Sequence, residues 1–335
     1  MAYLSSRTVR ALLVSLIVSL AASLTACGGG VKLEDLESSF EDALCERQVR
    51  CGAYATVDAC KEDFRILIDE IERAVAAGRA NYDADKAEAC LEALSSSSCD
   101  GSAEDVRRQP QACRDTFTGT VADGGACFGG EECLSERCTI PDCGMACCQG
   151  TCAVTVAEVA IGGACSGTTG PCAQGSFCDS QTTTCAALRA VGAACTSNSQ
   201  CGYGLYCPEV GTCADAPNRG AACPDGTCAD IGDRCSTTSM TCVALGRSGE
   251  ACATGFAGLF DCQAPLTCNQ TTLVCGNPPT VGQTCLFFCA SGNFCNQADV
   301  CEATKANGAA CAGDDECNSQ FCDANDVCAD DVICG

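Results

Sequence analysis

Histidine is absent from all 335 residues. No serine–histidine–aspartate triad, cysteine–histidine dyad or imidazole-based zinc site can therefore be built. Tryptophan is absent as well, and aromatic residues make up only 5% of the chain. With so few large rings there is little to fill a broad hydrophobic core, although the length would suffice for two domains. Basic residues are scarce: 19 Lys and Arg stand against 43 Asp and Glu, a formal charge of -24. Nucleic acid and anionic lipid headgroups are poor partners for such a surface, and the charge keeps the chain soluble. The apolar run Ala11 to Leu20 falls short of the roughly 20 residues that a spanning helix needs.

The neighbours of that run give it a meaning. Arg7 and Arg10 precede it, small residues follow, and the stretch closes on Leu24-Thr25-Ala26-Cys27 before Gly28-Gly29-Gly30. This order predicts an export signal. Leu-Thr-Ala-Cys resembles the lipobox of bacterial lipoproteins, in which the cysteine is acylated and becomes the new N-terminus. The resemblance implies a signal peptide over residues 1–26, lipid attachment at Cys27 and a short tether over 27–30. Acyl chains hold a bilayer by about 0.8 kcal/mol per buried methylene, so the mature protein is anchored to a membrane without spanning it. Loss of Arg7 and Arg10 leaves 17 basic residues against 43 acidic ones, a charge of -26.

What the chain has in abundance is cysteine, 39 residues in all. That level marks a disulfide scaffold and an oxidising compartment. With Cys27 set aside, 38 remain, an even number that permits complete pairing.

The spacing divides the chain in two. From Val31 to Thr118 it is helical: Leu33, Leu36, Phe40 and Leu44 form one apolar stripe, and Cys60, Phe64, Leu67, Ile71 and Val75 a second. Gly52 and Gly78 are the expected stops, with Thr56 or Asp58 capping the second helix. A third helix is expected from Asp83 to Leu94, and a short fourth from Ser102, with Asp105 as its capping-box partner, ending before Pro110. Six cysteines lie here (Cys45, Cys51, Cys60, Cys90, Cys99, Cys113). They allow fifteen connectivities, and an antiparallel pair of helices would bring Cys45 to Cys60.

From residue 119 to 335 a unit opening with Gly-x-x-Cys recurs seven times, its first cysteines being Cys127, Cys165, Cys195, Cys223, Cys252, Cys285 and Cys311. Phe177, Tyr206, Phe294 and Phe321 each directly precede a third cysteine. A unit of about thirty residues is too small to fold without staples. Stretches such as Phe321 to Cys328 predict short β-hairpins with Asp and Asn in the turn. The expected fold is small and disulfide-rich: an N-terminal α-helical domain (31–118), then a tandem array of disulfide-stapled β-hairpin repeats (119–335). Units two to seven hold four cysteines each and can close internally. The first holds seven (Cys127, Cys133, Cys138, Cys143, Cys147, Cys148, Cys152), and Cys334 stands beyond the last. Cys334 is thus a candidate free or intermolecular thiol on an extended array, or the partner of a first-unit cysteine on a closed one.

Cys195 to Cys207, with its Cys-x5-Cys-x-x-Gly-x-Tyr-Cys frame, resembles the Dickkopf N-terminal cysteine-rich domain, and Cys172 to Cys178 and Cys289 to Cys295 echo it. The resemblance covers structural cysteines and the aromatic before the third. It implies the stapled fold and carries over no receptor-binding residue from a family associated with modulating Wnt signalling.

Few residues are left for chemistry. Cys143, Cys147, Cys148 and Cys152 are spaced closely enough for a cysteine-only zinc site, but an oxidising compartment favours disulfides. Asp314 and Asp315 form a carboxylate pair with no apolar pocket to shift it. Asp323, Asn325 and Asp326 imitate part of a calcium loop that lacks its Gly and Glu. No metal or other cofactor is expected, and no catalysis. Phe256, Leu259, Phe260, Leu286, Phe287 and Phe288 form a candidate contact patch, unless they cover neighbouring repeats. The expected function is that of a non-catalytic surface lipoprotein of the bacterial cell envelope, at the outer membrane or cell surface, for adhesion or protein binding. The alternative is a secreted inhibitor or ligand-binding module.

Overall fold

A computed structural model of the chain describes residues 30–63, 68–141, 148–165, 170–253, 258, 260–286 and 288–330. Its N-terminal part is helical. Helix α1 (Leu33–Cys51) ends where Gly52 turns left-handed at φ 83°. The expected second helix is two, α2 (Val57–Asp63) and α3 (Asp69–Ala76). Helix α4 (Ala84–Ser96) starts on Asp83, whose carboxylate accepts from the backbone N–H groups of Asp85 and Lys86, satisfying donors that a helix start leaves open. Two single turns follow, α5 (Glu104–Arg107) and α6 (Gln111–Arg114). The expected capping box is not formed: Asp105 accepts from the Ser98 N–H at 2.6 Å, and the Ser102 hydroxyl turns to Asp100. Strands β1 (Ala80–Tyr82) and β2 (Phe117–Gly119), which the sequence pattern did not suggest, pair antiparallel and close this part of the chain.

Three bridges staple the helices: Cys45–Cys60, as an antiparallel pair requires, Cys51–Cys99 and Cys90–Cys113. Between them pack Leu36, Ala43, Ala74 and Ala87. The Arg47 guanidinium, mostly buried, donates to the Ser98 carbonyl at 3.1 and 2.7 Å. Arg50 reaches the carbonyls of Ser95 and Ser97. The end of α1 is thus held against the exit of α4, beside the Cys51–Cys99 bridge.

The cysteine-rich part is a run of short hairpins; units two to seven each have one bridge from first cysteine to third and one from second to fourth, and the first unit pairs Cys127 with Cys138 and Cys133 with its last cysteine, Cys152. In the third unit these are Cys195–Cys207 and Cys201–Cys213. The last unit has the same pattern in Cys311–Cys322 and Cys317–Cys328. Their sulfurs are the core. In the third unit Cys195, Cys201, Leu205 and Cys213 form the buried cluster, and in the last Cys311, Cys317 and Cys328.

The Gly-x-x-Cys opening has a geometric reason. Gly124, Gly162, Gly192, Gly220, Gly249, Gly282 and Gly308 all have φ between 79° and 90°. Each donates its N–H to the carbonyl of its unit's last cysteine, Cys152 in the first unit and the fourth cysteine in the others, as Gly192 does to Cys213 at 2.7 Å. That cysteine donates back one residue on, Cys213 N–H to Ala193 at 2.8 Å, so the opening lies beside the hairpin as a third strand. A Cβ at Gly192 would meet nothing within 4 Å. The left-handed backbone alone therefore sets the cost of Gly192→Ala, expected at about 1 kcal/mol. Denaturant unfolding read by protease cleavage within the third unit measures it.

The array does not run free of the helical part. It bends back along the helices and meets them through backbone groups. Asp100 and Asp230 form an antiparallel bridge, with Gly101 N–H donating to Ala229 and Ile231 N–H to Cys99, both at 3.0 Å. Ala264 N–H donates to Ala53 at 2.9 Å, and Gln263 Nε2 to the carbonyls of Gly52 and Tyr54. Arg107 donates to the carbonyls of Asn198, Cys201 and Gly202 while lying 5.4 Å from the Tyr203 ring. The third, fourth and fifth units are docked in this way.

One docking contact carries a charge conflict. Burial first, then the carboxylates of Asp233 and Asp100, push the Asp230 carboxyl above its ordinary range. A carboxyl raised in the fold binds its proton more tightly there than in the unfolded chain. Its contribution to stability is therefore present in acid and lost as pH rises through the folded value. Asp230→Asn should raise the melting temperature at about pH 7 and leave it unchanged near pH 3, where the wild-type group is protonated too. Equal melting curves at both pH values would contradict the conflict.

Candidate functional site

The units are joined in two ways. The residue before the second cysteine is Glu132, Gln200, Asp261 or Glu316 in the first, third, fifth and seventh units. In each case its side chain accepts the backbone N–H of the residue after the first cysteine: Phe128, Thr196, Ala253 and Ala312. In each case a cation from the preceding element also reaches it. Arg79 pairs with Glu132 at 2.9 Å, Arg189 Nη1 donates to Gln200 at 3.1 Å, Arg234 pairs with Asp261 at 3.1 Å and Lys305 with Glu316 at 2.5 Å. Lys305 and then the Ala312 N–H hold the Glu316 carboxyl below its ordinary range.

The aromatics before the third cysteines complete the first kind of joint. Phe177 and Phe294 are buried, with Arg189 at 5.1 Å and Lys305 at 5.6 Å from their ring centres. A partly buried cation over a ring face adds to these polar contacts. Tyr206 instead packs with Ala216 and Ala229 of the following unit, and its hydroxyl lies 3.2 Å from Asp225.

In the second, fourth and sixth units the residue before the second cysteine is Pro171, Thr227 or Phe288, which offers no carboxylate. The joint between the fifth and sixth units is the open one. Phe288 meets Phe260 of the fifth unit, ring centres 6.1 Å apart and planes at 71°. Both stay about half exposed, Phe260 at 55% and Phe288 at 46%, and Leu286 is 53% exposed. Beside them lies a cleft of about 530 Å³, between the hairpin β3 (Thr267–Asn269) with β4 (Val274–Gly276) and the opening of the sixth unit. Its walls carry Thr271, Asn277, Gln283, Thr284, Leu286 and Phe288, and no lining residue bears a charge.

Of the candidate patch, the structure thus brings Phe260, Leu286 and Phe288 together at this joint. Phe256, Leu259 and Phe287 lie outside the described residues, as do Cys27, Cys143, Cys147 and Cys334. Cys148 is disulfide-bonded and Cys152 is paired with Cys133, so two of the four sulfurs of the zinc alternative are not thiolates. The calcium-like loop is a turn closed on itself. Asp323 accepts from the N–H groups of Asn325 and Val327 at 2.9 Å, and these bonds hold its carboxyl below the usual range. Asp314 accepts from the Cys322 N–H at 2.7 Å. A second, shallower hollow over Asn81 to Asp85 holds the carboxylates of Asp83 and Asp115, but the first caps α4 and the second accepts from Gln111.

The cation-held joints are not evident from the sequence pattern, although a signal was there. Arg189 and Lys305 each stand twelve residues before the second cysteine of the next unit, and an acid or amide precedes that cysteine.

Among known proteins, residues 169–214 match the family model of the Dickkopf N-terminal cysteine-rich region. The match spans most of the second unit and the third, so this part of the chain is similar to that region in its cysteine frame. No curated protein and no solved structure matches the chain. No helix among the described residues is long and apolar enough to cross a membrane.

Proposed function

We propose that the chain is a non-catalytic binding lipoprotein of a bacterial cell envelope, anchored through acylated Cys27 and contacting a protein or surface partner at the joint of its fifth and sixth units. The observation that carries this reading is the half-exposed Phe260–Phe288 pair beside an uncharged cleft, on a frame held rigid by disulfides. Exposed aromatic rings in a chain so poor in them are typical of contact surfaces. The similarity of residues 169–214 to the Dickkopf N-terminal cysteine-rich region supports the non-catalytic reading further.

The anchor adds a constraint. Gly30 lies where a Cβ would come within 2.2 Å of the Ala84 backbone, and the Tyr82 hydroxyl donates to the Val31 carbonyl at 2.7 Å. Three residues separate Cys27 from that packed point, a reach of at most about 11 Å. An acylated Cys27 therefore keeps the helical part against the membrane surface.

Two measurements test the proposal. Labelled palmitate should enter the wild type and be lost from Cys27→Ser; equal labelling of both removes the anchor, and no labelling of either points to a freely secreted module. Fluorescent protein over residues 28–335 should bind cell surfaces, and Phe260→Ala with Phe288→Ala should weaken that binding at least tenfold, as hot-spot aromatics do. Undiminished binding by the double variant refutes the contact surface.

A further inference from the structure

Resting on that contact surface, we infer that the cleft between the fifth and sixth units binds a neutral oligosaccharide. The first ground is charge. In a chain of formal charge -24, every side chain lining this cleft is uncharged. A cleft without charges has nothing with which to select an ionic ligand or offset its desolvation.

The second ground is the hydrogen-bonding character of the walls. Among the described residues Asn269 and Gln283 use only their carbonyl oxygens, Asn269 for the N–H groups of Thr271 and Thr272, Gln283 for the N–H and hydroxyl of Thr280. Their NH2 groups remain as donors. The Thr271 and Thr284 hydroxyls and the Asn277 amide make no side-chain hydrogen bond among the described residues, and each both donates and accepts. A sugar hydroxyl is also donor and acceptor at once, so amides and hydroxyls match it at either role.

The third ground is the apolar wall. Phe288 lines the cleft, braced by Phe260, and Leu286 lies beside it. A pyranose presents a flat face of C–H groups that an aromatic ring covers. The volume, about 530 Å³, falls within the range of about 300–1,000 Å³ of small-ligand sites. A peptide added as a strand fits less well. The facing edge, Thr267–Asn269, is three residues long, and its Cys268 carbonyl already faces the Gln270 amide at 3.5 Å.

The test is binding of the whole mature chain to oligosaccharides derived from cellulose, chitin, starch and mannan, with heparin and polygalacturonate fragments as charged probes. At least one neutral probe should bind and no charged one. Its affinity should stay constant from about 0.05 to 0.5 M salt, since no ion pair is there to be screened. Phe288→Ala should weaken binding tenfold or more, and the exposed Asn277→Ala by roughly two- to tenfold, the worth of a neutral hydrogen bond. The second variant keeps the test decisive if the first disturbs the joint. Absence of neutral binding, salt-sensitive binding, or unchanged affinity in both variants overturns the inference. If cell surfaces are bound through Phe260 and Phe288 but no neutral probe competes, the ligand class is wrong and the contact surface stands. If cell surfaces are not bound at all, the contact surface itself fails.

Discussion

Replacing Cys201 and Cys213 together by alanine is expected to unfold the third unit while leaving the helices intact. The bridge closes a loop of sequence separation 12, and in the chain-entropy model a staple of that size contributes about 3 kcal/mol. In a larger domain such a loss is survivable. Here it is not, because Cys195, Cys201, Leu205 and Cys213 are the unit's buried cluster, and the substitution removes two of the four. The Arg107 contacts to Asn198, Cys201 and Gly202 should go with it, as should the packing of Tyr206 on Ala216 and Ala229. Limited proteolysis followed by peptide mapping should place new cuts between residues 190 and 216, with helical circular dichroism preserved. Replacing Cys45 and Cys60 is the control, since Leu36, Ala43, Ala74 and Ala87 remain as core around that bridge. A third unit as resistant as the wild type would mean that docking, not the bridge, maintains it.

The second large effect is expected at Arg79. Its partner Glu132 is a carboxylate only 2% exposed, and Arg79 is 24% exposed. The two approach at 2.9 Å in a geometry that serves charge neutralisation better than a directed hydrogen bond, and Arg79 Nη2 has no acceptor among the described residues. Such a pair adds little over an apolar packing of the same shape, but breaking it leaves an uncompensated buried charge at about 3–5 kcal/mol. Arg79→Met should therefore be strongly destabilising and loosen the first unit from β1 and β2, whose neighbour Thr120 bonds the Arg79 carbonyl at 2.9 Å. Adding Glu132→Gln should recover most of the loss, since the amide oxygen can still accept from Phe128 N–H. Thermal unfolding of the two variants decides. A single variant as stable as the wild type, or a double variant no better than the single, contradicts the account.

How much of this was legible in the sequence depended on whether a residue type speaks for itself. Gly52 ended α1 and Asp83 capped α4 because left-handed backbone and open N–H groups admit few residue types. The Gly-x-x-Cys openings were visible for the same reason. The pairing of first with third and second with fourth cysteine was not, since four evenly spaced cysteines are chemically identical until the chain brings them together. The bending of the array onto the helices was equally hidden. Cys99 with Ile231, Gly101 with Ala229 and Ala53 with Ala264 meet through peptide groups that every residue carries. Strands β1 and β2 are three residues each, too short for an alternation to register. At the candidate site, Phe260, Leu286 and Phe288 stood out as rare large apolar residues. The uncharged walls beside them did not, because Asn, Gln and Thr are ordinary loop residues.

The cation-held joints recur at every second boundary: helices to first unit, second to third, fourth to fifth, sixth to seventh. On this pattern the expected unit of duplication or loss is a pair of repeats. Loss of a single unit, such as the third, would present Arg189 to the fourth, where Thr227 holds the place of Gln200 and offers the cation no comparable acceptor. Loss of the second and third units together would bring the first directly against the fourth, a boundary of the unclipped kind at both ends of the deletion, and every remaining cation would keep its own partner. Gene variants of differing length should accordingly gain or lose units two at a time.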